Sequence, residues 1–290
     1  MVTYEAREAA PAERRRVELG SFLRACRARL TPEDFGMPAG ARRRTPGLRR
    51  EEVALLAGVG VTWYTWLEQG REINASTQVL DAVARTLKLD QAERNHLYVL
   101  AEAVPVIERS ARCAMPEAIK EIVRSLDPLP AAVTNARFDL LLRNDAYVDL
   151  FRDWHSDPCV QKNGLWCCLN EPTARDKFPQ YEAETRYMVA RLRSAYAQHV
   201  GDPDWEEDIR RLSNLSSEFA KLWALHEVAE PETRTRTYLN PVAGPLTFTV
   251  SELAIPASPQ ARLVVYTPAD DPTRQRLTLT RGQRTGTAPS

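Results

Sequence analysis

Hydrophobic positions in the first hundred residues recur with a helical period in several separate runs. The first run has an apolar residue at every third or fourth position from Glu18 to Leu30, and the Thr-Pro pair at residues 31–32 ends it. A long loop with three Pro and three Gly follows. Four further helical runs begin near Arg50, Val61, Ser76 and Asp90. The pattern therefore predicts an all-α domain of five helices over residues 16–104.

The pattern changes after residue 105 to a mixture of helices and strands. Two strand-like runs surround Asn135 and Ala136, and a helix is predicted to begin near Asn144. Two longer helices are predicted over residues 180–200 and 205–226. Three runs typical of strands follow, over residues 235–239, 246–253 and 261–267. Alternating apolar residues at Leu246, Phe248 and Val250 predict one buried face of an antiparallel sheet.

This order of strands, helices and antiparallel strands indicates an α+β domain. We predict that it covers residues 116–268 and that residues 105–115 form a linker. Residues 269–290 are rich in Thr, Arg, Gly and Pro and lack an apolar period. They are therefore predicted to be a disordered tail.

Composition narrows the class of protein. The chain has 290 residues, a formal net charge of zero and 43% hydrophobic residues, which is typical of a globular protein with two domains. It has no run of eighteen apolar residues and no N-terminal signal segment. The five Cys form no CxxC pair, which favours a reducing compartment. We expect a soluble, cytoplasmic protein with no membrane association.

Residues 50–68 have the construction of a helix-turn-helix. Ala54 is small where two helices must approach each other, and Gly58 follows where a tight turn can require a positive φ. About 100° per residue along the second helix places Tyr64 and Leu67 inward. Trp66 then faces outward, where an apolar ring requires a partner surface. The residues on this outer face are Thr62, Thr65, Trp66 and Gln69.

A recognition helix in the major groove of DNA supplies such a surface, so these four residues are the predicted base contacts. Five Arg, Arg42 among them, lie within nine residues of the preceding loop. The predicted phosphate contacts are Arg43, Arg44, Arg49, Arg50 and Arg71. Two alternatives remain: the loop is only a solvated charged segment, or the five helices form a scaffold for protein contacts.

The segment RRRTPGLRREEVALLAGVGVTWYTWLEQGR resembles the lambda-repressor-like (XRE-type) helix-turn-helix of MmyB-like bacterial transcription regulators. Later stretches, such as YMVARLRSAYAQH and ARLVVYTPA, resemble successive parts of the PAS-like ligand-binding domain of that family. Gly60 departs from the Ser of the family turn, and residues 158–178 fit less well. The resemblance covers nearly the whole chain, except for about the first fifteen residues and the tail.

The resemblance implies a cavity for a small hydrophobic effector, such as a fatty acid or a similar metabolite. The residues expected to bind it are Phe138, Tyr147, Phe151, Trp166, Tyr187, Trp223, His226, Phe248 and Tyr266; Leu140 and Phe219 are further candidates for the lining. Each of these residues has the alternative role of ordinary core packing. His226 has two alternatives, to orient a ligand carboxylate or to make an internal hydrogen bond.

Other kinds of site have weaker support in the sequence. His155, Cys159, Cys167 and Cys168 are suitable metal ligands, but their spacing matches no standard site, so no metal is predicted. No GxSxG, HExxH, Walker or GxGxxG motif is present, and we expect no enzymatic activity and no cofactor beyond a bound hydrophobic metabolite.

The sequence therefore predicts a transcription regulator that binds an operator in double-stranded DNA under the control of a small effector. We expect it to bind as a homodimer. In the alternative, the C-terminal domain is a dimerisation or partner-binding module without a small-molecule ligand.

Overall fold

The computed structural model describes residues 11–37, 47–101, 115–152, 163–171 and 173–281. The chain divides into two compact units. The first unit contains Met1–Ile107 and Arg193–Ala229, and the second contains Glu108–Leu192 and Glu230–Ser290. Residues 193–229, which the sequence predicts as part of the C-terminal domain, belong to the same unit as the N-terminal helices.

The N-terminal part of the first unit is all-helical, as predicted. Its five α-helices are α1 (Pro11–Ala28), α2 (Arg50–Ala57), α3 (Val61–Glu68), α4 (Thr77–Thr86) and α5 (Gln91–Leu100). A 3₁₀ turn (Pro32–Phe35) follows α1. Two predicted N-caps are confirmed: the Ser76 hydroxyl accepts from the amide of Val79, and Asp90 and Glu93 form a reciprocal capping box. Buried side chains from these helices form the core, among them Phe22, Leu23, Leu80, Val83 and Leu97.

The second unit begins with one helix, two strands and four further helices. They are α6 (Glu117–Ser125), β1 (Ala131–Asn135), β2 (Leu140–Arg143), α7 (Asp145–Leu150), α8 (Gly164–Asn170), α9 (Ala174–Lys177) and α10 (Tyr181–Tyr196). The division between the units falls within α10, after Leu192. The side chain of Asn144, at the predicted helix start, accepts from the amides of Tyr147 and Ala131 and donates to the carbonyl of Leu129. This one amide group therefore fixes α7 to the start of β1.

Two helices of the first unit follow, α11 (Pro203–Leu215) and α12 (Ser217–Ala224). The prediction of one helix over 205–226 is therefore wrong. Ser216 has extended backbone angles and ends α11, and its hydroxyl accepts from the amide of Phe219 to cap α12. A Ser in a helical run favours such a break because its side chain competes for backbone hydrogen bonds.

The second unit is completed by β3 (Arg234–Asn240), β4 (Gly244–Ala254), β5 (Ala261–Pro268) and α13 (Asp271–Leu277). The helix α13 and the 3₁₀ turn Thr278–Thr280 correct the prediction that the tail is disordered from residue 269. Asp270 caps this helix by accepting from the amide of Thr273, and Leu277 is buried. The helix has only seven residues, and its buried residues are Thr273 and Leu277. One apolar side chain is too few to show a helical period in the sequence. Residues 282–290 lie outside the described residues.

The five strands form one antiparallel sheet in the order β2-β1-β5-β4-β3, which confirms the predicted α+β class. The predicted buried face of β4 is confirmed, because Leu246, Phe248 and Val250 are all buried. One face of the sheet packs under α6, where Val123 joins residues such as Val133 and Leu263 in a continuous aliphatic core. Among the described residues, no helix is both long and apolar enough to cross a membrane.

Candidate functional site

The turn between α2 and α3 has the geometry that the sequence predicts. Gly58 ends α2 with a φ of 66°, in the left-handed region, and its amide bonds back to the carbonyl of Leu55. Gly60 is the N-cap of α3 and supplies no side-chain cap. The turn therefore needs a glycine at residue 58, whereas at residue 60 the extended backbone would also accept a capping residue such as Ser.

The helix α3 has an inner and an outer face. Tyr64 and Leu67 are buried, and Trp63 is half-buried. Trp66 is 40% exposed, as predicted for the outward ring. Thr62 and Gln69 are exposed on the same outer side, and Thr65 is half-buried. The outer face thus offers hydroxyl and amide groups and one indole.

A buried carboxylate holds the inner face in place. Glu68, the last residue of α3, is fully buried. Its carboxylate accepts from Nε and Nη2 of Arg27 at 2.9 and 3.0 Å, and from Nε of Arg50 at 2.8 Å. Since Arg27 is on α1 and Arg50 begins α2, Glu68 ties three helices together. Sequence reasoning missed this residue, although Tyr64 and Glu68 are four positions apart and therefore share a face.

The helices α1 and α3 also approach each other closely through their backbones. A Cβ atom on Gly20 would lie 2.3 Å from the carbonyl oxygen of Glu68, so only glycine fits at this position of α1. One turn later, Nη1 of Arg24 donates to the same carbonyl at 2.8 Å. The orientation of α3 is therefore determined by α1 over a stretch from residue 20 to residue 27.

The structure describes three of the predicted phosphate contacts. Arg49 and Arg71 are exposed, and the guanidinium of Arg71 lies 5.8 Å from the ring centre of Trp66. Arg50 is engaged by Glu68, so part of its charge is used within the protein. Arg42, Arg43 and Arg44 lie outside the described residues.

The same region exposes apolar residues that we did not predict as part of the site. Leu55 on α2 is largely exposed, and Val61 at the start of α3 is exposed on its outer side. An apolar side chain at the beginning of a recognition helix can contact the methyl group of thymine. The sequence does give a signal for Val61: it is an apolar residue directly before Thr62, on the face that is predicted to be polar.

A second candidate site lies on the sheet face of the second unit opposite to α6. Four of the predicted ligand residues, Tyr147, Phe151, Phe248 and Tyr266, are joined by ring contacts. The Phe151 and Tyr266 rings, for example, have centres 5.6 Å apart. Two residues that we did not predict, Phe178 and Tyr238, extend this aromatic cluster.

Two arginines of β3 lie beside this aromatic cluster. Arg234 and Arg236 alternate with Tyr238 on the inner face of the strand and lie opposite Val250 and Phe248 of β4. Nη1 of Arg234 donates to Oε1 of Glu184 at 2.7 Å. Nε of Arg236 lies 2.9 Å from Oε2 of the same carboxylate but outside hydrogen-bond geometry. The three charges leave one positive charge in excess.

Three buried polar atoms of this arginine pair and its glutamate have no hydrogen-bond partner in the described part of the chain. They are Nε of Arg234, Nε of Arg236 and Oε2 of Glu184. Burial lowers the pKa of the Arg236 guanidinium, but neighbouring groups, the Glu184 carboxylate among them, outweigh burial and raise it, so Arg236 is charged. Desolvation also raises the pKa of Tyr147 and Tyr266, so both phenols stay protonated as donors.

The other predicted ligand residues have different surroundings. Phe138 has a φ of 67° in the turn between β1 and β2, and Leu140 and Trp166 are half-buried. The Tyr187 ring lies 3.9 Å from the guanidinium of Arg234, next to the aromatic cluster. Phe219, Trp223 and His226 do not join this cluster, because they belong to the first unit.

His226 makes an internal contact in the first unit. Its Nδ1 lies 3.4 Å from a carboxylate oxygen of Glu18. Of the predicted alternatives for this residue, the internal role therefore has structural support, although the geometry is not that of an aligned hydrogen bond.

The cysteines show no sign of a metal site where the structure describes them. Cys26, Cys167 and Cys168 are buried and are not in disulfides. Within the described residues, no group of three or more His, Cys, Asp or Glu side chains is arranged to hold a metal ion. His155 and Cys159 lie outside these residues.

Comparison with known families assigns both parts of the chain. Residues 18–97 match a helix-turn-helix domain, and residues 115–279 match the MmyB-like transcription regulator ligand binding domain. Comparison with curated proteins finds no match. The second match covers more than half of the 290 residues. The chain therefore belongs to the MmyB-like transcription regulators, a family of DNA-binding proteins with a ligand-binding domain and not of enzymes.

Proposed function

We propose that this regulator reads double-stranded DNA with the outer face of α3 and responds to a small hydrophobic acid in its ligand-binding domain. The observation that carries the first part is the division of α3. On its inner face, Tyr64 is buried and the buried Glu68 carboxylate binds Arg27, so the helix is held in a defined position. On its outer face, Trp66 is exposed together with hydroxyl and amide groups. Rigid positioning matters because base recognition depends on the accurate placement of short side chains.

The contacts divide by chemistry into two classes. Base edges are read by Thr62, Thr65, Trp66 and Gln69 in the major groove. Phosphates are bound by Arg43, Arg44, Arg49 and Arg71, with Arg50 in a mainly structural role through Glu68. Phosphate contacts fix the register on the duplex, and base contacts supply the sequence preference.

Binding assays with two classes of variant test this division. Gln69→Ala and Thr62→Ala are expected to reduce discrimination between the preferred duplex and a scrambled one by about tenfold, the effect of losing one good base contact. Arg44→Ala and Arg49→Ala are expected to weaken both duplexes alike and to lower the salt slope by about one. Gln275→Ala and Arg274→Ala, exposed on α13, are the matched controls. The reverse pattern would show that the two roles are exchanged.

We further propose that a homodimer binds the operator. One recognition helix covers only a few base pairs, and two half-sites separated by one or more helical turns supply the length that a specific site needs. Light scattering of the protein–DNA complex measures the number of chains per duplex. One chain per duplex at saturation would contradict the dimer. We also propose that it acts in the bacterial cytoplasm, on the nucleoid, where an operator would lie.

The proposed effector site is the aromatic cluster together with Arg236. Three observations support it: the buried Nε of Arg234, which has no hydrogen-bond partner among the described residues, the excess positive charge of the two arginines over Glu184, and the partial exposure of Arg236 and Tyr147. The Arg236 side chain is 13% exposed, and Tyr147 is half-buried. Such residues are expected to line an enclosed space rather than to pack in a solid core. A buried excess charge is costly unless an anion accompanies it.

These properties favour an apolar molecule with one carboxylate, such as a fatty acid. The aromatic rings would contact the apolar body, and Arg236 with the phenols of Tyr147 and Tyr266 would bind the carboxylate. If the acid binds two conformations of the regulator with different affinity, it changes operator affinity by linkage.

Native mass spectrometry of the purified full chain tests the ligand. We expect a co-purified acid on the wild type and its loss, by about tenfold or more in occupancy, in Arg236→Met, because a charge-assisted contact is removed. Arg274→Met, on an exposed arginine, controls for the general loss of a positive charge. A wild-type domain that is always empty and does not bind added fatty acid would favour a dimerisation or partner-binding module.

A further inference from the structure

We infer that Arg193 is a positioning residue of the DNA-reading helix, although it lies far from α3 in the sequence. Arg193 is near the end of α10, in the part that belongs to the first unit. Its side chain is 1% exposed. The guanidinium donates to the carboxylate of Glu18 on α1 and to the carbonyl of Trp223 on α12. It also lies 3.8 Å from the ring centre of Trp223.

Glu18 is the counterion of this buried arginine. Burial alone would raise the pKa of Glu18, but His226 and Arg193 hold it below 4.5, so the carboxylate is charged. His96, another titratable group near it, is neutral, because burial and Arg193 lower its pKa to about 3. Loss of Glu18 therefore leaves the buried Arg193 without the carboxylate that compensates its charge.

A second and weaker contact lies one turn earlier on the same helix. Glu206 of α11 lies 3.9 Å from Nη1 of Arg14 on α1. The position of Glu206 is fixed within its own segment, since it accepts from the hydroxyl of Tyr196 at 2.8 Å and from the amide of Gly201 at 3.0 Å. The segment 193–229 thus contacts α1 at two residues, Arg14 and Glu18.

The next turns of α1 are the ones that position α3. Gly20 allows the close backbone approach, Arg24 donates to the carbonyl of Glu68, and Arg27 binds its carboxylate. Glu18 and Arg27 are nine residues apart, which is about 14 Å along a helix. A helix of this length behaves as a stiff rod. We therefore expect that a change in the contact of Glu18 tilts α1 and, through Gly20, Arg24 and Arg27, shifts the position of α3.

This inference assigns a role to a segment that the helix-turn-helix match does not include. Arg193 lies within residues 115–279, which match the ligand-binding family. Through this contact, a residue of the region that matches the ligand-binding family supports the helices that position α3. The inference rests on DNA recognition by α3, and it adds that recognition requires Arg193 and Glu18, neither of which is a predicted DNA contact.

The test uses the full chain and a duplex selected by the wild type from a random library. Glu18→Gln keeps the shape of the side chain and removes its charge, and Arg193→Met removes the guanidinium. Both are expected to lower the ratio of affinities for the selected and the scrambled duplex by about tenfold, through misplaced base contacts. Affinity for the scrambled duplex and its salt slope are expected to stay at the wild-type value, since the phosphate contacts remain.

Arg210→Met is the matched control within the same segment. Arg210 forms an ion pair with Glu207, and both side chains are more than half exposed. Exposed pairs of this kind contribute little to structure, so this variant should discriminate between duplexes like the wild type. Arg193→Lys keeps the charge and should retain more discrimination than Arg193→Met.

Hydrogen exchange provides a measurement that does not depend on DNA. In Glu18→Gln we expect exchange of the α1 and α3 amides to accelerate by about tenfold, with little change in α4. Because Glu18→Gln is nearly isosteric, it remains informative if Arg193→Met fails to fold. Unchanged discrimination and unchanged exchange in a folded Glu18→Gln protein would overturn the inference. A wild type without any duplex preference, but with accelerated exchange in Glu18→Gln, would instead contradict base reading by α3 and leave the supporting role of Glu18 intact.

Discussion

Replacement of Glu68 by Gln is expected to destabilise the first unit by about 3–5 kcal/mol, the cost of removing one partner of a buried ion pair. The Glu68 side chain is fully buried and accepts three hydrogen bonds from two guanidinium groups. Gln keeps the shape of the side chain but loses the charge, and its amide adds donors that face other donors. Since Glu68 joins three helices, the loss should affect their packing as a whole.

The two arginine partners should contribute unequally. The Arg27 side chain is 14% exposed and makes two of the three bonds, so Arg27→Met should account for most of the loss. The Arg50 side chain is 38% exposed, and solvent screens its pair. We therefore expect Arg50→Met to cost at most about 1 kcal/mol.

Hydrogen exchange of the α1 and α3 amides as a function of urea measures this effect without assuming that the whole chain unfolds in one step. Glu207→Gln, which breaks an exposed pair with Arg210, is the control and should change stability by less than about 0.5 kcal/mol. The reasoning is refuted if Arg50→Met costs as much as Arg27→Met, or if Glu68→Gln is as stable as the wild type.

Three further predictions concern the same unit. Burial lowers the pKa of His96 to about 3, so its stabilisation is complete above its unfolded pKa near 6.5 and is lost as pH falls towards the folded value. The wild type should therefore lose about 2–3 kcal/mol of unfolding free energy between about pH 7 and pH 4.5 through His96, and His96→Phe should abolish this loss. Urea titrations at both pH values measure it, and a pH dependence of stability that is the same in both proteins would contradict the prediction. Gly20→Ala should lower the melting temperature despite its better helix propensity, because its Cβ would meet the Glu68 carbonyl at 2.3 Å, at a cost of about 1–3 kcal/mol; a stabilised variant would exclude this close approach. Burial raises the pKa of Cys26 to about 12, so iodoacetamide should label it only after unfolding, as peptide mass spectrometry would show; equal labelling of the native protein would argue against its burial.

The outer and inner faces of α3 were predictable because helical periodicity alone separates them. Tyr64 and Leu67 are buried and Trp66 is exposed, as the spacing predicts. The caps at Ser76 and Asp90 were predictable for a similar reason, since a cap is a contact between residues three positions apart. Whether the outer face contacts base edges stays a prediction until binding is measured.

The proposed effector site was only partly predictable. Period-two alternation identified the inward residues of β4, and four predicted aromatic residues do meet in the structure. The arginines of β3 were not predicted, because an arginine in a strand is normally read as exposed. Their burial depends on Glu184, a residue fifty positions earlier. No local pattern reports such a pairing.

The sequence by itself determined the helix-turn-helix, the five strands and the two classes of domain, because these follow from local spacing, turn residues and caps. Tertiary structure alone decided which charges are buried and with which partners. Glu68 with Arg27, and Glu18 with Arg193, are pairs between distant residues. It also decided that residues 193–229 belong with the N-terminal helices. Periodicity states which side of a helix is apolar, but the choice of neighbour depends on how well distant surfaces and charges fit together.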